Sequence, residues 1–169
     1  MNIVITATSL AALQRGFKEA PEYTRQELLS GMVEGTQLLE REVKDAFPSA
    51  SGLTRTSIFS DAFITPAGVL GVVGSNSVAA AAVELGTKPH MPPVEPIEAW
   101  VNDKLGITGK AARRVAFAIA LKIAKKGTKA QRPFKNTFEL QYRTIGMVFE
   151  RAAGRVATRL AGNVNGAGA

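Results

Sequence analysis

Thr24-Arg25-Gln26-Glu27-Leu28-Leu29-Ser30-Gly31-Met32-Val33-Glu34-Gly35-Thr36-Gln37-Leu38-Leu39-Glu40-Arg41-Glu42-Val43-Lys44-Asp45-Ala46-Phe47-Pro48 decides the fold. Leu28, Met32, Gly35, Leu39, Val43 and Ala46 recur every three or four residues, which draws one apolar stripe along a helix of about six turns. Thr24 and Glu27 have the spacing of a capping box, in which the hydroxyl caps an early amide and the glutamate reaches back to the Thr24 amide. Pro48 stops the helix, because proline supplies no backbone donor and its ring clashes with the preceding turn. Gly31 and Gly35 each cost about 1 kcal/mol of helix propensity relative to alanine. Close packing against a neighbour is one reason to keep them, and tolerated weak points are the other.

Working outward, Asn2–Thr6 reads as a short strand, and Ser9 opens a short helix that Pro21 closes. Downstream, Ser49–Gly52 is a turn, Leu53–Thr65 and Val69–Gly74 are β-rich, and Pro66-Ala67-Gly68 joins them as a hairpin longer than a two-residue turn. Ser77 caps a helix over Val78–Leu85, and Gly86 fits the position just past its end. Lys88–Pro96, with four prolines, reads as an extended loop. Ile97–Leu105 and Lys110–Lys126 are helical, separated by Gly106–Gly109, and Ala112, Val115, Ala116, Ile119 and Ile123 form the stripe of the second. Phe134–Leu160 is one long helix or two, with Ile145, Val148, Ala152, Val156 and Leu160 inward and Arg151, Arg155 and Arg159 outward. The fold class is therefore α+β: long helices on a small antiparallel sheet made of a β-hairpin and a short N-terminal strand, with an extended Pro-rich loop. Residues 1–161 form a single domain, with 88–127 as an insertion carrying a basic helix. Residues 162–169, almost without large apolar side chains, form a flexible tail.

The 169 residues have a 46% hydrophobic and 21% charged composition, that of a globular domain. The absence of cysteine excludes disulfides, Cys-ligated zinc, iron–sulfur clusters and thiol catalysis, and the lone histidine, His90, excludes multi-His metal sites. Gly127-Thr128-Lys129 has the letters of a phosphate loop in the wrong order, and Gly68, Gly71 and Gly74 lie in a strand rather than in a dinucleotide fingerprint. Glu34, Glu40, Glu42 and Asp45 read as a solvated helix face, with no histidine or tyrosine partner nearby for acid–base work. The expectation is a chain that is not an enzyme and takes no cofactor or metal. No run of about 18 apolar residues and no signal peptide is present, so no membrane partner is expected and the protein is made in a cytoplasm.

Charge is divided unevenly. Residues 1–103 carry seven basic and twelve acidic side chains, net −5, whereas residues 104–169 carry fourteen basic and two acidic, net +12. Such asymmetry points to a polyanion or to an interface between unlike surfaces. Lys110, Arg113, Arg114, Lys122, Lys125 and Lys126 are the candidate contacts to DNA or to an acidic partner. Residues 97–126 also have the outline of a helix-turn-helix, with Val101, Leu105 and Ile107 around the turn residue Gly106. Against that outline, Asn102 stands where a small buried residue is usual. The alternative function is thus a helix-turn-helix nucleic-acid-binding protein. A membrane-surface helix over 110–126 is the weaker reading, since its apolar side is mostly alanine.

The order of these signals carries a resemblance. The long helix is followed by Pro48-Ser49-Ala50-Ser51-Gly52-Leu53-Thr54-Arg55-Thr56-Ser57-Ile58, the hairpin, the run Val83-Glu84-Leu85-Gly86-Thr87, and finally Arg132-Pro133-Phe134 opening the last helix. This resembles the small head–tail joining proteins of tailed bacteriophages, the minor tail or tail-completion (neck) family related to phage lambda protein Z. In that family the V-E-x-G-T and P-F motifs lie close together in sequence. Here residues 88–127 come between them.

The resemblance implies a structural virion protein without catalysis, assembled in the host cytoplasm. Copies would form a homo-oligomeric ring, a hexamer, at the neck, between the connector and the tail-tube or terminator proteins, with genomic DNA in the lumen. It implies a subunit interface at Glu84, Gly86, Thr87, Lys88, Pro89, Pro133 and Phe134, where an extended arm reaches a neighbouring copy.

Overall fold

A computed structural model describes residues 3–5, 22–48 and 52–166. The predicted short helix between Ser9 and Pro21 lies outside these residues. The architecture is the expected α+β one. Strand β1 (Ile3–Ile5) precedes helix α1 (Glu22–Ala46), the short α2 (Gly52–Thr56), strands β2 (Ile58–Thr65) and β3 (Gly68–Ser75), and helices α3 (Val78–Leu85), α4 (Val94–Leu105), α5 (Gly109–Lys126) and α6 (Pro133–Gly166).

Helix α1 starts before the expected capping box, so Thr24 sits within its first turn and its buried hydroxyl has no hydrogen-bond partner among the described residues. Glu27 faces across to α6 and accepts a hydrogen bond from Arg155 Nε at 2.8 Å. Contact with α6 explains the longer helix: Tyr23 lies under the Arg159 guanidinium, 4.9 Å from its ring centroid. The two helices run antiparallel, as the pairings Glu27–Arg155, Glu34–Arg151 and Glu42–Gln141 descend along α6 while climbing α1. A Cβ on Gly31 would stand 2.8 Å from Ala152 Cβ, which is closer than packed side chains approach. Close helix contact is therefore the reason for Gly31.

The segment at 52–57 departs from the β-rich reading. Gly52–Thr56 forms one helical turn because its hydroxyls bond backward, Thr56 Oγ1 to Leu53 O at 3.0 Å and Ser57 Oγ to Thr54 O at 2.7 Å. Arg55 Nε donates to Lys44 O at 2.6 Å and ties this turn to the end of α1. The hairpin connection is also tighter than expected. Thr65 pairs with Gly68, leaving only Pro66 and Ala67 between the strands. The Thr65 hydroxyl donates to Gly68 O and accepts from Ala67 N, and Gly68 supplies a φ of 140°.

The sheet has the order β1-β3-β2, antiparallel throughout. At Gly71 a Cβ would lie 2.5 Å from both Met32 Sδ and Thr36 Cγ2, so the sheet rests directly on α1. Around this contact Leu39, Val43, Phe47, Ile58, Val73, Ala80, Phe134 and Ile145 form the main core. Phe47, outside the predicted stripe, meets Phe134 edge-to-face at a centroid distance of 5.8 Å. Burial of Glu40 raises its pKa, but the hydrogen bonds and charge of Lys44 and the Ser60 hydroxyl outweigh this and hold the carboxyl below its ordinary value.

Helix α6 is continuous, which resolves the choice between one helix and two. It runs on through Gly166, so the expected tail at 162–169 is helical over 162–166. No proline interrupts that stretch, and the backbone ladder continues. Helix α4 begins at Val94, so the Pro-rich loop ends at Pro93 rather than Pro96. Pro96 falls in the first turn, where a missing N–H costs nothing. Helices α4 and α5 share a second core of Val101, Ala112 and Ala116, flanked by Ile97, Trp100 and Ile119.

Candidate functional site

Two places in the fold bring the candidate residues together. The first joins the motifs at 83–87 and 132–134. Glu84, at the end of α3, is 1% exposed, and its carboxylate accepts the backbone N–H of Phe134 at 2.8 Å and of Lys135 at 3.2 Å. These are among the unpaired donors that open α6, so a side chain 50 positions away caps that helix. Pro133 occupies the first helical position, where it suits the fixed φ. Gln131 N donates to Val83 O at 2.9 Å and binds the approach to α6 against α3.

Just beyond Glu84 the chain leaves for the α4–α5 pair and returns beside its own exit. Thr87 and Thr128 form an antiparallel bridge, with Thr87 N to Thr128 O at 3.1 Å and Thr128 N to Thr87 O at 3.2 Å. Gly86 (φ 72°, ψ 179°) and Gly127 (φ 67°, ψ −163°) lie in a region that only glycine occupies readily. A Cβ at Gly127 would stand 2.0 Å from Thr87 O, and one at Gly86 2.5 Å from Thr128 O. The recurrence of Gly-Thr-Lys at 86–88 and 127–129 is therefore the mark of two matching arms. Gly127-Thr128-Lys129 takes part in a single antiparallel bridge and not in a phosphate loop.

This geometry revises the expected interface. Glu84, Pro133 and Phe134 are buried within the subunit, where Glu84 caps α6 and Phe134 packs in the main core with Ala80 and Phe47. Gly86 and Thr87 are half-buried in the paired arms, while Lys88 and Pro89 remain exposed. His90 is also exposed and its Nδ1 meets Lys88 O at 2.9 Å.

The second place is the outer side of α5. Ala112, Ala116 and Ala120 are fully buried, the first two in the core shared with α4, and Ala120 extends the predicted stripe. Lys110, Arg113, Arg114, Lys122, Lys125 and Lys126 are all exposed as expected. Phe117 and Leu121, whose outward position periodicity did not flag, are 49% and 42% exposed between the two basic ends. Val94, Glu95, Lys110, Arg113, Arg114 and Phe117 line a groove of about 490 Å³. The helix pair of the helix-turn-helix outline does form, with Gly106 left-handed at the turn and Asn102 exposed.

Ion pairing separates the two halves. All six carboxylates of α1 are paired inside the subunit: Glu22 with Arg25, Glu27 with Arg155, Glu34 with Arg151, Glu40 with Lys44, Glu42 with Arg41 and Asp45 with Arg55. Among the described residues none of the six α5 cations has an ion pair, and α5 itself contains no carboxylate. The carboxylates of α1 are thus neutralised by α6, by Arg55 of α2 and by α1 itself, whereas the positive charge of α5 is left without such pairing among the described residues. No helix among the described residues is long and apolar enough to cross a membrane. No protein-family model, curated protein or solved structure matches the chain.

Proposed function

We propose that this chain is a non-enzymatic structural and assembly protein of a tailed-phage virion, forming a hexameric ring at the head–tail junction through which DNA passes. The observation that supports this reading is the meeting of the two motifs that carry the resemblance. In that family the V-E-x-G-T and P-F motifs are neighbours in sequence. Here they are neighbours in space, with Glu84 on the amides of Phe134 and Lys135, although an insertion separates them along the chain. The insertion leaves and re-enters through the Thr87–Thr128 bridge, which preserves the junction that a shorter relative would have. Rings arise when two different patches of one subunit meet in a closing rotation. The exposed Lys88 and Pro89, beside this junction, are the segment available for such a contact. Disrupting the coding sequence in its phage should give DNA-filled heads and unjoined tails. Normal infectious particles from that mutant would overturn the reading.

A further inference from the structure

We infer that the outer face of α5 binds the phosphate backbone of duplex nucleic acid without reading its sequence. The inference stands apart from the ring reading, because it rests on the unpaired charge of one helix. Six exposed cations on an 18-residue helix with no carboxylate repel one another, and the effect is strongest at the N-terminal end, where the helix dipole is also positive. A partner rich in anions relieves that repulsion. Helix α1 is a poor source, since each of its carboxylates is already paired.

The spacing favours a phosphate backbone. Lys110, Arg113 and Arg114 form one cluster and Lys122, Lys125 and Lys126 the other, about 18 Å apart along the axis at 1.5 Å per residue. Around the axis, at about 100° per residue, Lys110, Arg113, Arg114 and Lys125 share one face and Lys122 and Lys126 turn to its flank, and duplex DNA offers a charge about every 1.7 Å of its length, so the four find phosphates at once. Between them the outward residues are Phe117, Ala118 and Leu121, which supply no hydrogen bonds for reading base edges. A lipid surface fits less well, because the alanine face of α5 that would enter a bilayer is buried on α4. Glu95, in the groove beside Arg113 and Arg114, is a single opposing charge against three cations.

Fluorescence anisotropy with short duplexes of two unrelated sequences tests this on the full chain. Both duplexes should bind alike, and log K should fall with log salt with a slope of about −4 for four contacts. Arg113→Gln with Arg114→Gln should reduce that slope by about 2, whereas Arg143→Gln, exposed on α6, should leave it unchanged. All substituted residues are exposed, and unchanged thermal unfolding verifies that the variants are folded. The inference is overturned by no binding at about 50 mM salt or by strong preference for one sequence. It also fails if the double variant keeps the full slope, or if polyglutamate or anionic vesicles are held more tightly than the duplex.

Discussion

Glu84 shows how much one side chain can organise. A fully buried carboxylate is costly unless it is hydrogen-bonded, and here it finds two backbone donors at the positive end of α6. Its spacing from Gly86 and Thr87 was visible in the sequence, but its role was not, since its partners lie beyond the insertion. Replacing it with alanine leaves the amides of Phe134 and Lys135 without this acceptor next to the main core. Glu84→Ala should therefore destabilise the fold by about 2–3 kcal/mol, the cost of unsatisfied buried polar groups together with a lost cap. Glu84→Gln keeps one acceptor oxygen and the shape, and should lose less. Urea unfolding of the two variants measures both, and equal stability of Glu84→Ala and the wild type would contradict the capping role.

At the scale of elements, the glycines of α1 discriminate between close contact and mere tolerance. Gly31 and Gly35 look identical in the sequence, each an interruption of a good helix. In the structure they differ, because a Cβ at Gly31 meets Ala152 Cβ at 2.8 Å while one at Gly35 meets Ile145 Cγ2 at 3.6 Å. The first obstacle is anchored on the α6 backbone and cannot swing aside. The second is an ordinary contact distance. Gly35→Ala should gain up to about 1 kcal/mol from helix propensity, whereas Gly31→Ala should lose about 1–3 kcal/mol by forcing α1 and α6 apart. Chemical denaturation of the pair decides it, and a stabilising Gly31→Ala would show that the helices separate easily. Periodicity revealed both helices and most of their inward residues, because burial repeats with the helical turn. It did not reveal the one-turn α2 or the two-residue hairpin connection. Those depend on single hydroxyls, Thr56, Ser57 and Thr65, bonding to nearby backbone.

For the whole molecule, the charge division along the sequence proved to be only partly a division of surfaces. The acidic residues of α1 could be counted from the sequence, but their pairing with Arg151 and Arg155 could not, since it follows from the antiparallel packing of α1 on α6. The basic helix was legible because no carboxylate stands among its cations along the sequence. Residues 88–127 have a small core of their own and leave and return beside the Thr87–Thr128 bridge, so the main core should not depend on them. Paired residues of this kind stand about 5.5 Å apart, a gap that a short glycine turn closes. Deleting 88–127 and joining Thr87 to Thr128 through such a turn should leave a cooperatively folding protein, with Tm within about 8 °C of the full chain, equivalent to about 1–2 kcal/mol. Glu84 would still cap α6, because neither partner is touched. The same variant should lose duplex binding and, because Lys88 and Pro89 go with the deleted segment, should also lose any oligomeric state that light scattering gives for the full chain. If instead it melts without a cooperative transition, α4 and α5 support the main core through contacts that the division into two clusters does not suggest.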